Sequence, residues 1–222
     1  VTLLEESLCK WFAKKIGFDD SSGGIAASGG TLSNLNALIA ARHNAGLGSD
    51  PNSVLLVSED AHSSFIKCTT IMGLDESNLV RIKTDNNGCM DIQNLRETLD
   101  KCSTDNKKIF AIVATLGTTV RGAIDPIKDI SEICKERNIW LHIDGSIGGI
   151  FAVTSIPIQG LNNLNKADSI TINPQKIIGI TKTSSLLLVS NIRTLENTFS
   201  TGLPYISSKE NIINRGEIGI QG

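Results

Sequence analysis

Residues 139–149 read IWLHIDGSIGG, an apolar run that ends in an acidic residue and a glycine-rich turn. The run at 139–143 is too short for a separate helix and consists mainly of large apolar side chains, as buried strands do. A helical pattern at 126–138 precedes it directly, with Asp125 as the predicted N-cap and Pro126 at the first helical position. A helix that leads straight into a buried strand indicates an α/β fold.

The same alternation continues along the rest of the chain. Short apolar runs predict four further strands, at 54–57, 109–115, 169–172 and 186–189. Helical patterns lie at 1–17, 31–45 and 91–99, the last with Asp91 as its N-cap. Strands that alternate with helices predict a mostly parallel sheet with helices on both faces.

Composition excludes several classes of protein. The 222 residues carry 21 Lys and Arg against 23 Asp and Glu, a net charge of −2, and 40% are hydrophobic. This balance is typical of a globular protein and, without a basic run, argues against nucleic acid or an anionic membrane as the partner. No apolar stretch approaches the roughly 20 residues that span a bilayer.

The five cysteines are widely spaced, and no pair has C-x-x-C spacing. We therefore expect reduced, structural thiols and a cytoplasmic protein. No histidine has a neighbour at a metal-ligand spacing, and a metal site is not expected. The sequence shows no secretory signal.

Ligands of parallel α/β sheets bind beyond the carboxyl ends of the strands, so candidate site residues are sought there. Ser28-Gly29-Gly30-Thr31 precedes the helix at 31–45, and backbone N–H groups at such a helix start can bind an anion. An ordinary helix start capped by Ser or Thr is the alternative.

Two further candidates follow strands. His62 comes shortly after the strand at 54–57, where an imidazole can stack on a planar ligand or transfer a proton, or simply cap a helix. Thr115 ends the strand at 109–115, and Gly117 follows it. This pair either admits a ligand close to the strand end or forms a turn.

The last two candidates carry opposite charges. Asp144 ends an apolar strand, where a carboxylate requires a cationic or metal partner unless it caps a helix. Lys176 is flanked by Ile177 and Ile178, and an apolar setting would leave its amine neutral and able to form an imine. A solvated surface lysine is the alternative.

Taken together, these residues match the requirements of pyridoxal 5′-phosphate. That cofactor needs an anion site for its phosphate, a side chain against its ring, a carboxylate at the ring nitrogen and a lysine at its aldehyde.

At this point the chain resembles the group II pyridoxal-phosphate-dependent amino-acid decarboxylases. These enzymes have the fold called fold type I of the pyridoxal-phosphate-dependent transferases. Segment 28–35 is similar to the family's S-G-G-S-x-A-N-L and is followed by A-A-R at 40–42. Similar blocks follow in the family's order at 58–64 (S-x-x-x-H-S-S), 114–119 (A-T-x-G-T-T), 142–149 (H-V-D-A-A-x-G-G) and 173–176 (N-P-H-K).

The resemblance extends over essentially all 222 residues and implies a role for each candidate. Lys176 would form the Schiff base, Asp144 would hold the ring nitrogen protonated, and His62 would stack on the ring. The remaining roles fall to the phosphate site (Gly30, Thr31, Asn173), the ring pocket (Thr115, Ser146) and a loop residue that protonates the substrate carbon (Tyr205).

The resemblance also implies a function and an assembly. The protein would decarboxylate an L-amino acid to an amine and CO2, as a cytoplasmic homodimer. Residues 1–222 would form its large cofactor-binding domain, without the family's N-terminal segment and C-terminal small domain.

The chain departs from the family pattern at two places in the site. Gln175 stands where His usually precedes the lysine, and Gly145-Ser146 replaces Ala-Ala. These departures keep two alternatives open. One is a different reaction of the same cofactor, a carbon–carbon lyase or an aminotransferase, and the other is a relative without catalytic activity.

Overall fold

A computed structural model describes residues 2–182, 184–201 and 217–220. Seven strands form one sheet in the order β1-β7-β6-β5-β4-β2-β3. They are β1 (Gly23–Ala27), β2 (Ser53–Ser58), β3 (Leu79–Ile82), β4 (Lys108–Thr115), β5 (Trp140–Gly145), β6 (Ser169–Ile172) and β7 (Ser185–Val189). The five strands from β3 to β6 are parallel, and β7 runs antiparallel to both of its neighbours.

Seven α-helices accompany the strands: α1 (Thr2–Lys15), α2 (Gly30–Asn44), α3 (Ser64–Ile71), α4 (Ile92–Thr104), α5 (Ile127–Arg137), α6 (Pro174–Ile177) and α7 (Arg193–Phe199). Short 3-10 helices lie at Glu76–Asn78, Gly148–Val153 and Leu161–Lys166. The predicted α/β class and the mostly parallel sheet are therefore confirmed.

Helices cover both faces of the sheet, as predicted. Ile112 and Ile143 belong to the core that the sheet shares with α4 and α5. Val113, on the opposite side of β4, belongs to a second core that includes Leu38 of α2 and Phe65 of α3. Alternate residues of a strand thus point to alternate helical layers.

Two predicted N-caps had different outcomes. Asp91 is the N-cap of α4, and its carboxylate accepts a hydrogen bond from Asn94 N. The predicted cap at Asp125 is wrong, because α5 begins at Ile127 and Pro126 occupies the N-cap position. The Asp125 carboxylate turns inward instead and accepts hydrogen bonds from Met90 N and Thr115 N, both at 2.7 Å.

The free edge of β1 lies beside α1. Glu5 Oε1 accepts a hydrogen bond of 2.6 Å from Ala26 N, a backbone donor of this edge strand. A side chain that occupies such a donor hinders pairing with another chain's strand.

All five cysteines are free thiols, as expected from their spacing, and four of them are buried. Burial and the nearby charge of Asp144 raise the pKa of Cys68 to about 12, so this thiol stays protonated at neutral pH. None of the helices in the described ranges is long and apolar enough to cross a bilayer.

Candidate active site

A cavity of about 470 Å³ lies at the carboxyl ends of the parallel strands, beside the first turn of α2. It contacts eight of the nine site residues proposed from the sequence: Gly30, Thr31, His62, Thr115, Asp144, Ser146, Asn173 and Lys176. The ninth, Tyr205, lies outside the described residues.

A larger cavity, of about 680 Å³, lies at the opposite, amino ends of the parallel strands. Residues near the starts of β4 and β5 line it, among them Ile109 and Trp140, together with Asp168. None of the proposed site residues contacts it. We place the candidate site in the smaller cavity, because the chemistry-bearing residues converge there.

The first turn of α2 provides a position for an anion. Gly29 is its N-cap, and no side chain caps the helix, so the start is not the ordinary one capped by Ser or Thr that was the alternative. The first N–H groups of a helix lack intrahelical acceptors and carry partial positive charge. They are therefore suited to hold a phosphate.

Gly30 is required here because neighbouring side chains approach its backbone closely. A Cβ at this position would lie 2.7 Å from Asn173 Nδ2 and 2.8 Å from Ser146 Oγ. Both side chains are buried, and Asn173 Oδ1 accepts a hydrogen bond from the Ser185 hydroxyl. Amide, hydroxyl and helix start thus face the same space.

Asp144 is only 5% exposed, yet no cationic side chain in the described ranges pairs with it. Its Oδ1 accepts a hydrogen bond from Ser146 N at 3.1 Å, and its Oδ2 accepts one from Asn34 Nδ2 at 3.3 Å. A buried carboxylate without a cation is costly. A protonated ring nitrogen in the cavity would supply the missing charge.

Two threonine hydroxyls flank Asp144 in the sheet register. Thr115 pairs with Asp144 across β4 and β5, and Thr171 pairs with it across β5 and β6. Both Oγ1 atoms are buried without a hydrogen-bond partner. Unsatisfied buried hydroxyls are rare, and one of the two belongs to Thr115, a residue that lines the cavity.

His62 is exposed at the cavity, and its Nδ1 accepts a hydrogen bond from Ser64 N at 3.1 Å. The neutral ring therefore carries its proton on Nε2. The backbone contact fixes one edge of the imidazole and leaves a face for a planar ligand.

The expected apolar setting of Lys176 is wrong for the described residues. Lys176 lies in the short helix α6 and is exposed, and Ile177 and Ile178 are each more than half exposed. Strand β6 ends at Ile172, which leaves this helix at the rim of the cavity. Lys176 thus lines the cavity, but the described residues do not shield it from water.

The two departures from the family pattern have structural correlates. Gln175 Oε1 accepts a hydrogen bond of 2.8 Å from Ser184 N and so links α6 to the segment before β7. At Gly145 a Cβ would lie 2.9 Å from Thr171 O, so the backbone of β6 approaches more closely than an alanine permits.

Two buried residues at the site received no role from the sequence. Asn34 contacts Asp144, and its Nδ2 also lies 3.5 Å from Ser64 Oγ. His142 contacts Asn34. Their positions could have suggested this, since Asn34 lies one helical turn beyond Gly30 and His142 shares a strand face with Asp144.

The parallel sheet thus brings the start of α2 together with Lys176, Asp144 and His62 at one cavity. Residues 1–218 match the conserved domain of pyridoxal-dependent decarboxylases. The chain belongs to this family, as the sequence motifs predicted.

Individual relatives agree with this assignment. The chain is 32% identical to an aromatic-L-amino-acid decarboxylase of Bacillus atrophaeus over 98% of its length and 46% of the relative's. It is 30% identical to an L-aspartate decarboxylase of Metarhizium robertsii over 93% of its length and 42% of the relative's. The chain therefore spans about half the length of these relatives.

Solved structures show the same fold. Mouse CSAD in its apo form superposes with a TM-score of 0.91 at 26% identity, over 99% of this chain and 48% of the mouse chain.

Proposed function

We propose that the intact protein decarboxylates an L-amino acid with pyridoxal 5′-phosphate as its cofactor. One observation carries the proposal: a buried carboxylate, Asp144, has no cation in the described ranges and shares a cavity with Lys176 and an uncapped helix start. When bound, the cofactor supplies a protonated ring that accepts the electron pair left as CO2 departs.

The residues of the chain would divide the work as follows. The N–H groups at Gly30 and Thr31 would hold the phosphate together with Asn173. Lys176 Nζ would bind the aldehyde carbon until the substrate amine replaces it. Residues 1–222 would thus form the cofactor-binding large domain.

Three residues would act around the ring. Asp144 would keep its nitrogen protonated, which stabilises charge where it develops. His62 would cover one face. Tyr205, outside the described residues, is our proposed donor of the proton that Cα takes up when the carboxylate leaves.

The two curated relatives are named for aromatic and acidic substrates. We therefore propose an α-amino acid as substrate and a screen that includes both classes. Equal amounts of CO2 and amine would support decarboxylation. An aldehyde or an oxo-acid in place of the amine would contradict it.

We further propose that the intact protein is a homodimer. Two large apolar side chains at the cavity are exposed: Ile71, which lines it, is 65% exposed, and Val120, next to the lining residue Thr119, is 93% exposed. Association would remove this surface from water. Sedimentation of the intact protein at micromolar concentration should give twice the mass of one intact subunit.

A cytoplasmic location is proposed on the free thiols, which persist in a reducing compartment. Fractionation of cells that express the protein at native level tests this.

Covalent trapping gives the sharpest test of the site. The intact protein loaded with pyridoxal 5′-phosphate should absorb visible light, and borohydride should then label Lys176. Lys176→Arg should abolish the label, while Lys182→Arg, at an exposed lysine nearby, should retain it. A colourless protein, or a label on another lysine, would overturn the proposal.

A further inference from the structure

A chain of buried hydrogen bonds leads to Asp144 from the amino ends of β5 and β6. We call it the Asn34 relay, and its members are Trp140, Ser169, His142, Asn34 and Asp144. Four of the five are buried, and Trp140 at the far end is half-buried and lines the larger cavity.

Each link of the relay has hydrogen-bond geometry. Trp140 Nε1 lies 2.8 Å from Ser169 Oγ, which lies 2.8 Å from His142 Nδ1. His142 Nε2 lies 3.1 Å from Asn34 Oδ1. Asn34 Nδ2 lies 3.3 Å from Asp144 Oδ2.

Only one arrangement of protons satisfies both ends of the relay. The indole N–H of Trp140 can only donate, so Ser169 Oγ accepts from it. The Asp144 carboxylate can only accept, so Asn34 presents Nδ2 to it and turns Oδ1 toward His142. His142 Nε2 therefore carries the proton, and Nδ1 accepts from the Ser169 hydroxyl. Every donor points toward Asp144.

This arrangement requires a neutral imidazole with a fixed tautomer. Burial lowers the pKa of His142 to about 4, with the charge of Asp144 acting in the opposite direction. The ring is thus neutral at physiological pH, with one donor and one acceptor, as the relay needs.

We propose that Asn34 is a positioning residue, held by the relay, that fixes the Asp144 carboxylate for the cofactor's ring nitrogen. Asn34 has this role because it donates to Oδ2, whereas the other described donor, Ser146 N, binds Oδ1. The inference rests on the proposed function, since it assumes that Asp144 faces a pyridine ring.

The test compares two cofactors in the intact protein. Pyridoxal 5′-phosphate has the ring nitrogen, and its 1-deaza analogue has a C–H group in that place. Asn34→Leu should weaken binding of pyridoxal 5′-phosphate by about tenfold or more, because a hydrogen bond to a charged group is lost. Binding of the analogue should change by less than about threefold, because it has no nitrogen for Asp144 to bind.

Asn36→Leu is the matched control. Asn36 is another fully buried asparagine of α2, but it bonds Leu32 O and Ile220 N, away from Asp144. It should leave the ratio of the two affinities as in the unmodified protein. Equal weakening of both cofactors by Asn34→Leu, or no weakening of either, would overturn the inference.

A second measurement needs no cofactor. Nitrogen-15 spectra of the histidine rings, assigned by loss of a signal in His142→Gln, should show His142 neutral with its proton on Nε2. A proton on Nδ1 would reverse the relay and refute the inference. If the unmodified protein fails to bind pyridoxal 5′-phosphate, the proposed function fails, whereas this spectrum still tests the relay. Asn34→Ala, which removes the donor without adding a charge, replaces the leucine variant if that one does not fold.

Discussion

At the scale of single residues, Asp125 shows how a polar side chain can hold segments together inside the core. Both of its carboxylate oxygens accept a backbone N–H, one from Met90 and one from Thr115 at the end of β4. Burial nevertheless raises the pKa of Asp125 to about 6, although these hydrogen bonds act against the shift.

The raised pKa of Asp125 determines the direction in which stability changes with pH. The folded state holds the Asp125 proton more tightly than the unfolded chain, whose carboxyl titrates near 3.8. The contribution of this group to the free energy of unfolding therefore falls as pH rises from about 4 to about 6. Above that range the cost of ionisation is fully present.

Asp125→Asn should remove this dependence. The variant loses one acceptor and is expected to be less stable at pH 4.5 by about 1–3 kcal/mol. Relative to the unmodified protein it should then gain about 2 kcal/mol between pH 4.5 and pH 7. Urea unfolding at several pH values measures the difference, with Asp20→Asn at an exposed position as the control. A difference that stays constant with pH would contradict the prediction.

Among the site residues, sequence reasoning could identify those whose chemistry is unusual at a strand end, such as Asp144. It could not show that Lys176 would be exposed, because the exposure depends on where β6 ends and on what packs opposite. It also passed over Asn34, because an asparagine inside a helix has no distinctive pattern until its partner on another strand is known.

At the scale of elements, the start of α2 is where sequence and structure agree in the most detail. Its glycines allow the helix to begin against Asn173 and Ser146 without a side-chain cap. A helix that begins this way lacks the stabilisation of a side-chain cap, but its first N–H groups stay free to bind an anion.

Gly30→Ala should test this start directly. The added methyl group would displace Asn173 and Ser146, and we expect affinity for pyridoxal 5′-phosphate to fall by about tenfold or more. Titration of the visible absorbance measures the affinity. In Gly48→Ala, where the new Cβ has no atom within 4 Å, affinity should stay unchanged. An unaltered affinity in Gly30→Ala would show that the close approach of Asn173 and Ser146 to residue 30 is not needed for cofactor binding.

The predicted strands were those with strong apolar runs, and all five were found. β1 and β3 were missed for physical reasons: β1 begins with two glycines, and Arg81 in β3 is exposed. Such segments become strands because a neighbour offers hydrogen-bond partners, which no local pattern records.

At the scale of the whole molecule, cofactor binding and folding should be linked. A ligand at one hundred times its Kd that binds only the folded state adds about 2.7 kcal/mol to stability. For a chain of this size the unfolding midpoint should rise by about 5–10 °C. Differential scanning fluorimetry with pyridoxal 5′-phosphate measures the shift. Pyridoxal without phosphate should give a smaller one, and equal shifts would exclude a contribution from the start of α2.

The pairing of the edge strand β1 with β7 affects the order in which the sheet can form during synthesis. Gly23 pairs with Val189, which follows it by 166 residues. At about 5–20 residues per second, a ribosome would release β1 roughly 8–30 s before its partner exists. During that interval β2 to β6 can assemble before β1 pairs with β7, so the first of these seven strands to be synthesised is among the last to join the sheet.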